Sequence, residues 1–64
     1  MGYYEIVTAG QDKCTVLAAS DDREVCIRAV DTYIKEWMRG WGINNVHLWL
    51  LSDGSKIEDI YVRL

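Results

Sequence analysis

The fold of this chain is decided by residues 20–41, which read SDDREVCIRAVDTYIKEWMRGW. Placed on a helix at about 100° per residue, this stretch has one apolar stripe and an opposite charged face. The apolar stripe comprises Cys26, Val30, Tyr33, Ile34 and Trp37, with Trp41 as its extension, Ile27 and Met38 on one flank and Ala29 on the other. This separation is typical of an amphipathic helix that lies on a single hydrophobic surface.

Both ends of the predicted helix carry recognisable signals. Asp21 is the predicted N-cap, with an acidic residue three positions further on to complete a capping box, and Ser20 is the alternative cap. Gly40 or Gly42 is predicted to end the helix, because glycine enters the left-handed conformation without steric cost. The expected helix therefore covers about residues 21–39.

The segments on either side of the helix are rich in β-branched and aromatic residues, which predicts strands. Four strands are expected, over residues 3–9, 14–19, 46–51 and 57–64. The dipeptide Asp53-Gly54 between the last two predicts a hairpin. The order β-β-α-β-β predicts an α+β fold, a single domain over residues 1–64 in which one helix packs on one face of a four-stranded antiparallel sheet. We prefer the spatial order 2-1-3-4 to 1-2-3-4, because the helix can cross the first strand and place the third beside it.

The charge of the chain favours a protein partner over a nucleic acid. Ten acidic residues oppose seven basic ones, which gives a net charge of −3. The basic residues are scattered along the sequence, whereas direct nucleic-acid binding usually needs a clustered positive footprint. An acidic protein is suited to a basic surface on its partner.

The chain shows neither a signal peptide nor an apolar stretch of about 18 residues, so we expect a cytoplasmic protein without membrane contact. Its two cysteines, Cys14 and Cys26, do not form a disulfide framework. We interpret them as buried free thiols in a reducing compartment, with a Cys14–Cys26 disulfide as the alternative.

Alternation along the strands gives the first indication of function. If the aliphatic residues face the helix, the other side of the sheet carries a mixed aromatic and polar set. That set comprises Tyr3, Leu17, His47, Trp49, Leu51, Tyr61 and Arg63. So much apolar surface is expected to contact another copy of the chain or a different protein, since aromatic residues and arginine commonly anchor interfaces. The alternative is a register slip of one residue, which would exchange the two faces and bury the aromatics.

No catalytic constellation or metal site is predicted. The two cysteines and the single histidine, His47, do not match a zinc spacing, and nothing places a base beside a nucleophile. Gly40-Trp41-Gly42 follows a helix, whereas glycine-rich phosphate loops precede one. We therefore expect no cofactor and no enzymatic activity.

His47 is interpreted as a surface or interface histidine that would make binding sensitive to pH. Trp41 is interpreted as a core residue, with a protruding anchor as the alternative.

In size, charge and strand–helix pattern, the whole chain resembles small acidic proteins that phages and mobile elements encode to inhibit host machinery, such as anti-CRISPR and polymerase-inhibiting proteins. The resemblance implies a stoichiometric inhibitor of a host or defence protein with a basic site. The acidic residues that would face such a site are Asp21, Asp22, Glu24, Glu58 and Asp59. Trp49 and Tyr61 would anchor the partner or a second subunit. The alternatives are an antitoxin or other regulatory partner protein, and a small-ligand-binding domain that uses the aromatic sheet face.

Overall fold

The computed structural model describes residues 2–10 and 16–64. Within these residues, two strands precede and two strands follow one continuous helix, which consists of two α-helical parts joined by a π-helical segment. The elements are β1 (Tyr4–Thr8), β2 (Val16–Ser20), α1 (Arg23–Ala29), a π-helical segment (Val30–Ile34), α2 (Lys35–Trp41), β3 (Asn45–Ser52) and β4 (Ser55–Arg63). The strands form one antiparallel sheet in the order β2-β1-β3-β4. The predicted α+β fold and its preferred strand order are therefore confirmed. Residues 14–15 of the predicted second strand lie outside the described residues.

The helix begins at Arg23, separated from the end of β2 by two residues, and its N-cap lies one residue later than predicted. The carboxylate of Asp22, rather than that of Asp21, accepts a hydrogen bond from the backbone N–H of Glu24 at 2.9 Å. The Ser20 hydroxyl oxygen in turn accepts from the Asp22 N–H at 3.0 Å, which orients the capping residue. The first regular helical residue is Arg23.

The helix ends at Gly42, the second of the two predicted stop signals. Gly42 has φ = 70°, in the left-handed region, and its N–H bonds to the carbonyl of Arg39. Gly40 is accommodated within α2, so the helix extends two residues beyond the predicted end. The chain can then turn back at once into β3, which is the central strand next to β1.

The π-helical segment in the middle of the helix changes which residues face the sheet. There the N–H of Lys35 bonds to the carbonyl of Val30, five residues earlier. In a regular α-helix of 3.6 residues per turn, residues four apart drift sideways by about 40° per step. The wider turn offsets part of this drift. As a result, Cys26, Val30, Ile34 and Met38 form a buried line of every fourth residue, with Ala29 buried beside it.

Two residues that the sequence placed on the apolar stripe are exposed. Tyr33 is 72% exposed, because the wider turn rotates it toward the side of the helix. Trp41 is 75% exposed and lies beyond Met38, the last buried residue of the helix. The interpretation of Trp41 as a core residue is therefore wrong.

The side of the sheet that faces the helix, here called the covered face, carries the aliphatic residues. Leu50 lies opposite Ile6, Leu48 opposite Ile60, and Val46 opposite Val62 in the register of the strands. The residues of this face that are buried under the helix are Ile6, Leu48, Leu50 and Val62. The register thus places the aromatic residues of β3 and β4 on the opposite side.

Candidate protein-binding face

The side of the sheet that faces away from the helix is here called the open face. The strand register assigns to it Glu5, Val7, Val16, Ala19, His47, Trp49, Leu51, Lys56, Asp59, Tyr61 and Arg63. Tyr3 extends it, because Tyr3 precedes Tyr4, whose side chain packs against the core. Two hydrogen bonds hold the Tyr3 backbone to Asp53. The Tyr3 N–H donates to the Asp53 carboxylate at 3.1 Å, and the Asp53 N–H donates to the Tyr3 carbonyl at 2.9 Å.

Six of the seven residues predicted for this side of the sheet therefore lie on the open face. The exception is Leu17. Val7 pairs with Val16 and Ile6 with Ala18, so Leu17 is the extra residue of a β-bulge in β2. A bulge interrupts the regular alternation of side chains, and Leu17 packs against the core instead.

Polar contacts link the aromatic side chains of the open face. The Nε2 atom of His47 lies 2.9 Å from Oδ1 of Asp59, and the ammonium group of Lys56 donates to Oδ2 of Asp59 at 3.0 Å. The His47 ring stacks on Tyr61 with centroids 4.3 Å apart and planes 9° apart. The Lys56 nitrogen also lies 5.6 Å from the centroid of the Trp49 ring. These contacts join five side chains of β3 and β4 into one network, here called the His47 network.

Asp59 is the hub of the His47 network. The hydrogen bond from Lys56, followed by the contact with His47, lowers the pKa of the Asp59 carboxyl group below its usual value. The carboxylate therefore remains ionised at neutral pH and bonds to both neighbours. This occupies both oxygens of Asp59 within the chain, so its observed role is to position the network.

Exposure varies strongly across the open face. Tyr61 is 76% exposed and Val16 is 50% exposed, whereas Trp49 and Leu51 are half-buried. Val7 is only 1% exposed although no helix covers it. Its direct neighbours on the two adjacent strands are Val16 and Trp49, and cross-strand neighbours of this size can shield a side chain between them. The open face thus has a small apolar centre with a protruding tyrosine beside it.

A groove of about 400 Å³ lies where β3 begins and β4 ends. It is lined by Asn45, Val46, His47, Tyr61, Val62 and Arg63. Among the described residues, Arg63 forms no ion pair. The groove is shallow and open to solvent, so it extends the open face rather than forming an enclosed cavity.

The predicted acidic contact residues lie in two separate places. Asp59 belongs to the open face. Glu58 points to the other side of β4, where its carboxylate forms an ion pair with Arg23 at 2.7 Å. That contact brings Glu58 to the start of the helix, where Asp21, Asp22 and Glu24 also lie exposed. Four of the five acidic residues are therefore grouped at the helix start. Glu58 and Asp22 have the partners described above, and Asp21 accepts a long hydrogen bond from the Ser20 hydroxyl at 3.5 Å.

The net negative charge of the chain lies outside the open face. The open face carries two acidic residues, Glu5 and Asp59, and two basic ones, Lys56 and Arg63. Asp12 and Lys13, outside the described residues, cancel each other in charge. The helix carries four basic and three acidic residues, so the excess of three negative charges comes from Asp21, Asp22, Asp53 and Glu58, which lie outside it.

A second apolar set, which the sequence reasoning missed, lies along the side of the helix. We call it the helix flank; it comprises the exposed Val25, Tyr33 and Trp41, with the buried Ala29 and the half-buried Trp37 between them. Its first part, from Val25 to Tyr33, lines a groove of about 360 Å³ together with Arg28 and Thr32. The sequence does contain a signal for this set. An apolar residue recurs at every fourth position from Val25, and the first four of these residues each directly precede a residue of the buried line.

Cys26 is fully buried, and its thiol donates a weak hydrogen bond to the carbonyl of Tyr4 at 3.5 Å. Burial raises the pKa of this thiol, which keeps it protonated. The other predicted partner of a disulfide, Cys14, lies outside the described residues. Over residues 2–10 and 16–64, no group of three or more histidine, cysteine or acidic side chains is placed to hold a metal ion.

In the part of the chain that the structure describes, no helix is both long enough and apolar enough to cross a membrane. Comparison of the chain with protein-family models, curated proteins and solved structures found no match.

Proposed function

We propose that this chain is a non-enzymatic protein-binding module whose contact surface is the open face. The observation that carries this proposal is the His47 network, which holds the exposed Tyr61 ring and the half-buried Trp49 ring in defined positions. Aromatic side chains that are ordered before binding lose little conformational entropy when a partner covers them. Tyrosine and tryptophan are also the residues that most often supply interface energy.

The finer proposal is that the chain is a cytoplasmic, stoichiometric inhibitor of a host or defence protein with a basic site. It is supported by the charge distribution, because Asp21, Asp22 and Glu58 place negative charge at the start of the helix, whereas the open face is balanced. Asp21 and Glu24 are exposed at the helix start, where neither forms an ion pair within the described residues, so both can meet a basic surface. Complementary charge would mainly accelerate the encounter and select the partner, while the open face would supply contact area.

Two alternatives use the same surfaces. An antitoxin or other regulatory partner protein would bind through the open face in the same manner. A small-ligand-binding domain would instead use the groove beside His47, Tyr61 and Arg63, whose volume of about 400 Å³ lies within the range of ligand pockets. We favour the protein-binding function, because that groove is shallow and the apolar surface continues beyond it to Trp49 and Val16.

The contact surface is tested by two matched pairs of aromatic substitutions. The immobilised chain is used to capture partners from a cell lysate, as wild type, as Trp49→Ser with Tyr61→Ser, and as Tyr33→Ser with Trp41→Ser. We expect the open-face pair to lose the captured protein and the helix-flank pair to retain it. Circular dichroism confirms that each variant is folded. Equal capture by wild type and the folded open-face pair would disprove the proposed surface.

The role of negative charge is tested separately. Asp21→Asn with Glu24→Gln removes two charges at the helix start, and Asp31→Asn with Glu36→Gln removes two charges elsewhere on the helix. For an inhibitor of a basic site, we expect the first pair to weaken capture and to flatten its dependence on salt. The second pair should have a smaller effect. Equal effects of the two pairs would show that only net charge matters.

A further inference from the structure

We propose that the protein that covers the open face is a second copy of this chain, so that the module is a face-to-face homodimer with its two helices on the outside. This inference rests on the proposed function only in treating the open face as a protein contact surface. It leaves the helix start, with its acidic residues, free to engage a different protein.

The charge balance of the open face argues for a second copy. In a two-fold symmetric dimer the same patch meets itself, so a charged patch avoids self-repulsion only if it carries both signs of charge. The open face carries two acidic and two basic residues, although the whole chain has a net charge of −3. A strongly basic or strongly acidic partner would find no net charge of the opposite sign there. Two copies of the open face can meet without net repulsion between the faces.

The charges are also divided between the two halves of the open face. The half formed by β2 and β1 carries Glu5, whereas the half formed by β3 and β4 carries Lys56, Asp59 and Arg63. The first half is thus negative by one charge, and the second is positive by one. A two-fold axis that runs along the strands, between two stacked sheets, places the β2–β1 half of one copy over the β3–β4 half of the other. Such an arrangement pairs opposite charges at both ends of the interface.

The area of the face sets the expected strength of the dimer. Four strands about 4.8 Å apart, with about 3.3 Å per residue, give a face of about 20 by 25 Å for strands of this length. Two copies would then bury about 1,000 Å² in total, near the lower limit for a specific interface. We therefore expect a reversible dimer in exchange with monomer rather than an obligate one. Sheets stacked in this way lie about 10 Å apart, which leaves room for Trp49 and Tyr61 to interdigitate.

The first test measures the association of the purified chain by sedimentation equilibrium from about 1 µM to about 500 µM, the range that brackets an interface of this size. We expect the wild type to dimerise within this range. Trp49→Ser with Tyr61→Ser should remain monomeric, and the helix-flank pair Tyr33→Ser with Trp41→Ser should dimerise like wild type. A wild type that stays monomeric throughout, or a dimer that only the helix-flank pair disrupts, would overturn the inference.

The second test uses charge reversal and does not depend on apolar substitutions. Glu5→Lys makes both halves of the open face positive, and Arg63→Glu makes both halves negative. Each variant alone should dimerise at least about tenfold more weakly than wild type, because like charges then face each other. An equimolar mixture of the two variants should restore dimerisation, since the positive copy meets the negative one. If the mixture associates no better than the separate variants, the proposed arrangement is wrong.

These outcomes separate the inference from the proposed function. If the chain is monomeric but still captures a partner that the open-face pair loses, the proposed function stands and the homodimer does not. If the chain dimerises through the open face and no second protein depends on it, the homodimer stands and the heterologous partner does not.

Discussion

The two faces of the sheet are made from alternate residues of the same strands, yet they differ in almost every physical property. In β3, Leu48 and Leu50 are completely buried on the covered face, while His47 and Trp49, which alternate with them, lie on the open face. On β4, Val62 is buried under the helix, and its neighbour Tyr61 is 76% exposed. A shift of one residue along the strand therefore separates core from surface.

The difference shows what each face is suited to contact. No polar or charged side chain is buried in the described core, so its stability depends on close packing of aliphatic groups. The open face instead combines large apolar rings with polar atoms that already have partners, as in the His47 network. Such side chains tolerate both water and a protein surface. The composition of the open face thus differs from that of the core and is consistent with the proposed protein contact.

The largest expected effect contrasts two leucines of β3. Leu48→Ala should lower the free energy of unfolding by about 2–5 kcal/mol, because it leaves a cavity under the helix. Leu51→Ala, on the half-buried open face, should cost about 1 kcal/mol or less, since water can fill the space that it leaves. Urea denaturation followed by circular dichroism measures both values. Equal losses would contradict the assignment of the two faces.

The second-largest expected effect concerns the helix, which packs on the covered face of the sheet. Asp22→Ala removes the N-cap of the helix and should destabilise the protein by about 1 kcal/mol. Asp21→Ala is the matched control, and it should change the stability by less than about 0.5 kcal/mol, as expected for a surface position. Thermal unfolding of the two variants distinguishes them. A larger loss of stability for Asp21→Ala would instead support Asp21 as the N-cap, as the sequence predicted.

The smallest expected effect is a pH dependence of the folding stability, which arises from Asp59 on the open face. The pKa of Asp59 is lowered in the folded state, first by Lys56 and then by His47. Its stabilising contribution is therefore complete above the unfolded-state pKa of about 4 and is lost as the pH falls through the lower, folded-state pKa. Asp59→Asn should lower the urea midpoint at pH 7, and this difference from wild type should shrink toward pH 3.

A pair of further substitutions identifies the source of that pH dependence. Lys56→Met should remove more of it than His47→Gln, because the Lys56 hydrogen bond is the larger cause of the lowered pKa. The variants are compared by urea denaturation over the same pH range. A dependence that is unchanged in both variants would mean that Asp59 is not its source.

Much of the fold could be predicted because it depends on local patterns. The alternation in β3, the Asp53-Gly54 turn and the amphipathic stretch before Gly42 each depend on residues close together in the chain. The π-helical segment could not be predicted in this way. It appears where the line of buried residues must stay over the sheet, and this requirement exists only once helix and sheet are packed together. The exposure of Tyr33 follows from the same packing.

The candidate site shows the same division. Alternation placed His47, Trp49 and Tyr61 on one side of the sheet, but it could not show which of them touch. The contacts of His47 with Asp59 and Tyr61 depend on the register between β3 and β4, including the shift between Leu50 and Leu51. Neither the grouping of Glu58 with the helix start nor the charge balance of the open face can be read from residues in sequence order.

The sequence by itself determined the elements of this protein, their order along the chain and the two sets of residues that alternate along each strand, because hydrophobic periodicity and turn chemistry are local properties. Only the tertiary structure decided that Asp22 rather than Asp21 caps the helix, that Tyr33 and Trp41 are exposed, and that Asp59 joins His47 and Lys56. These features depend on how one element is positioned against another, and a difference of one residue or of one helical turn changes each of them.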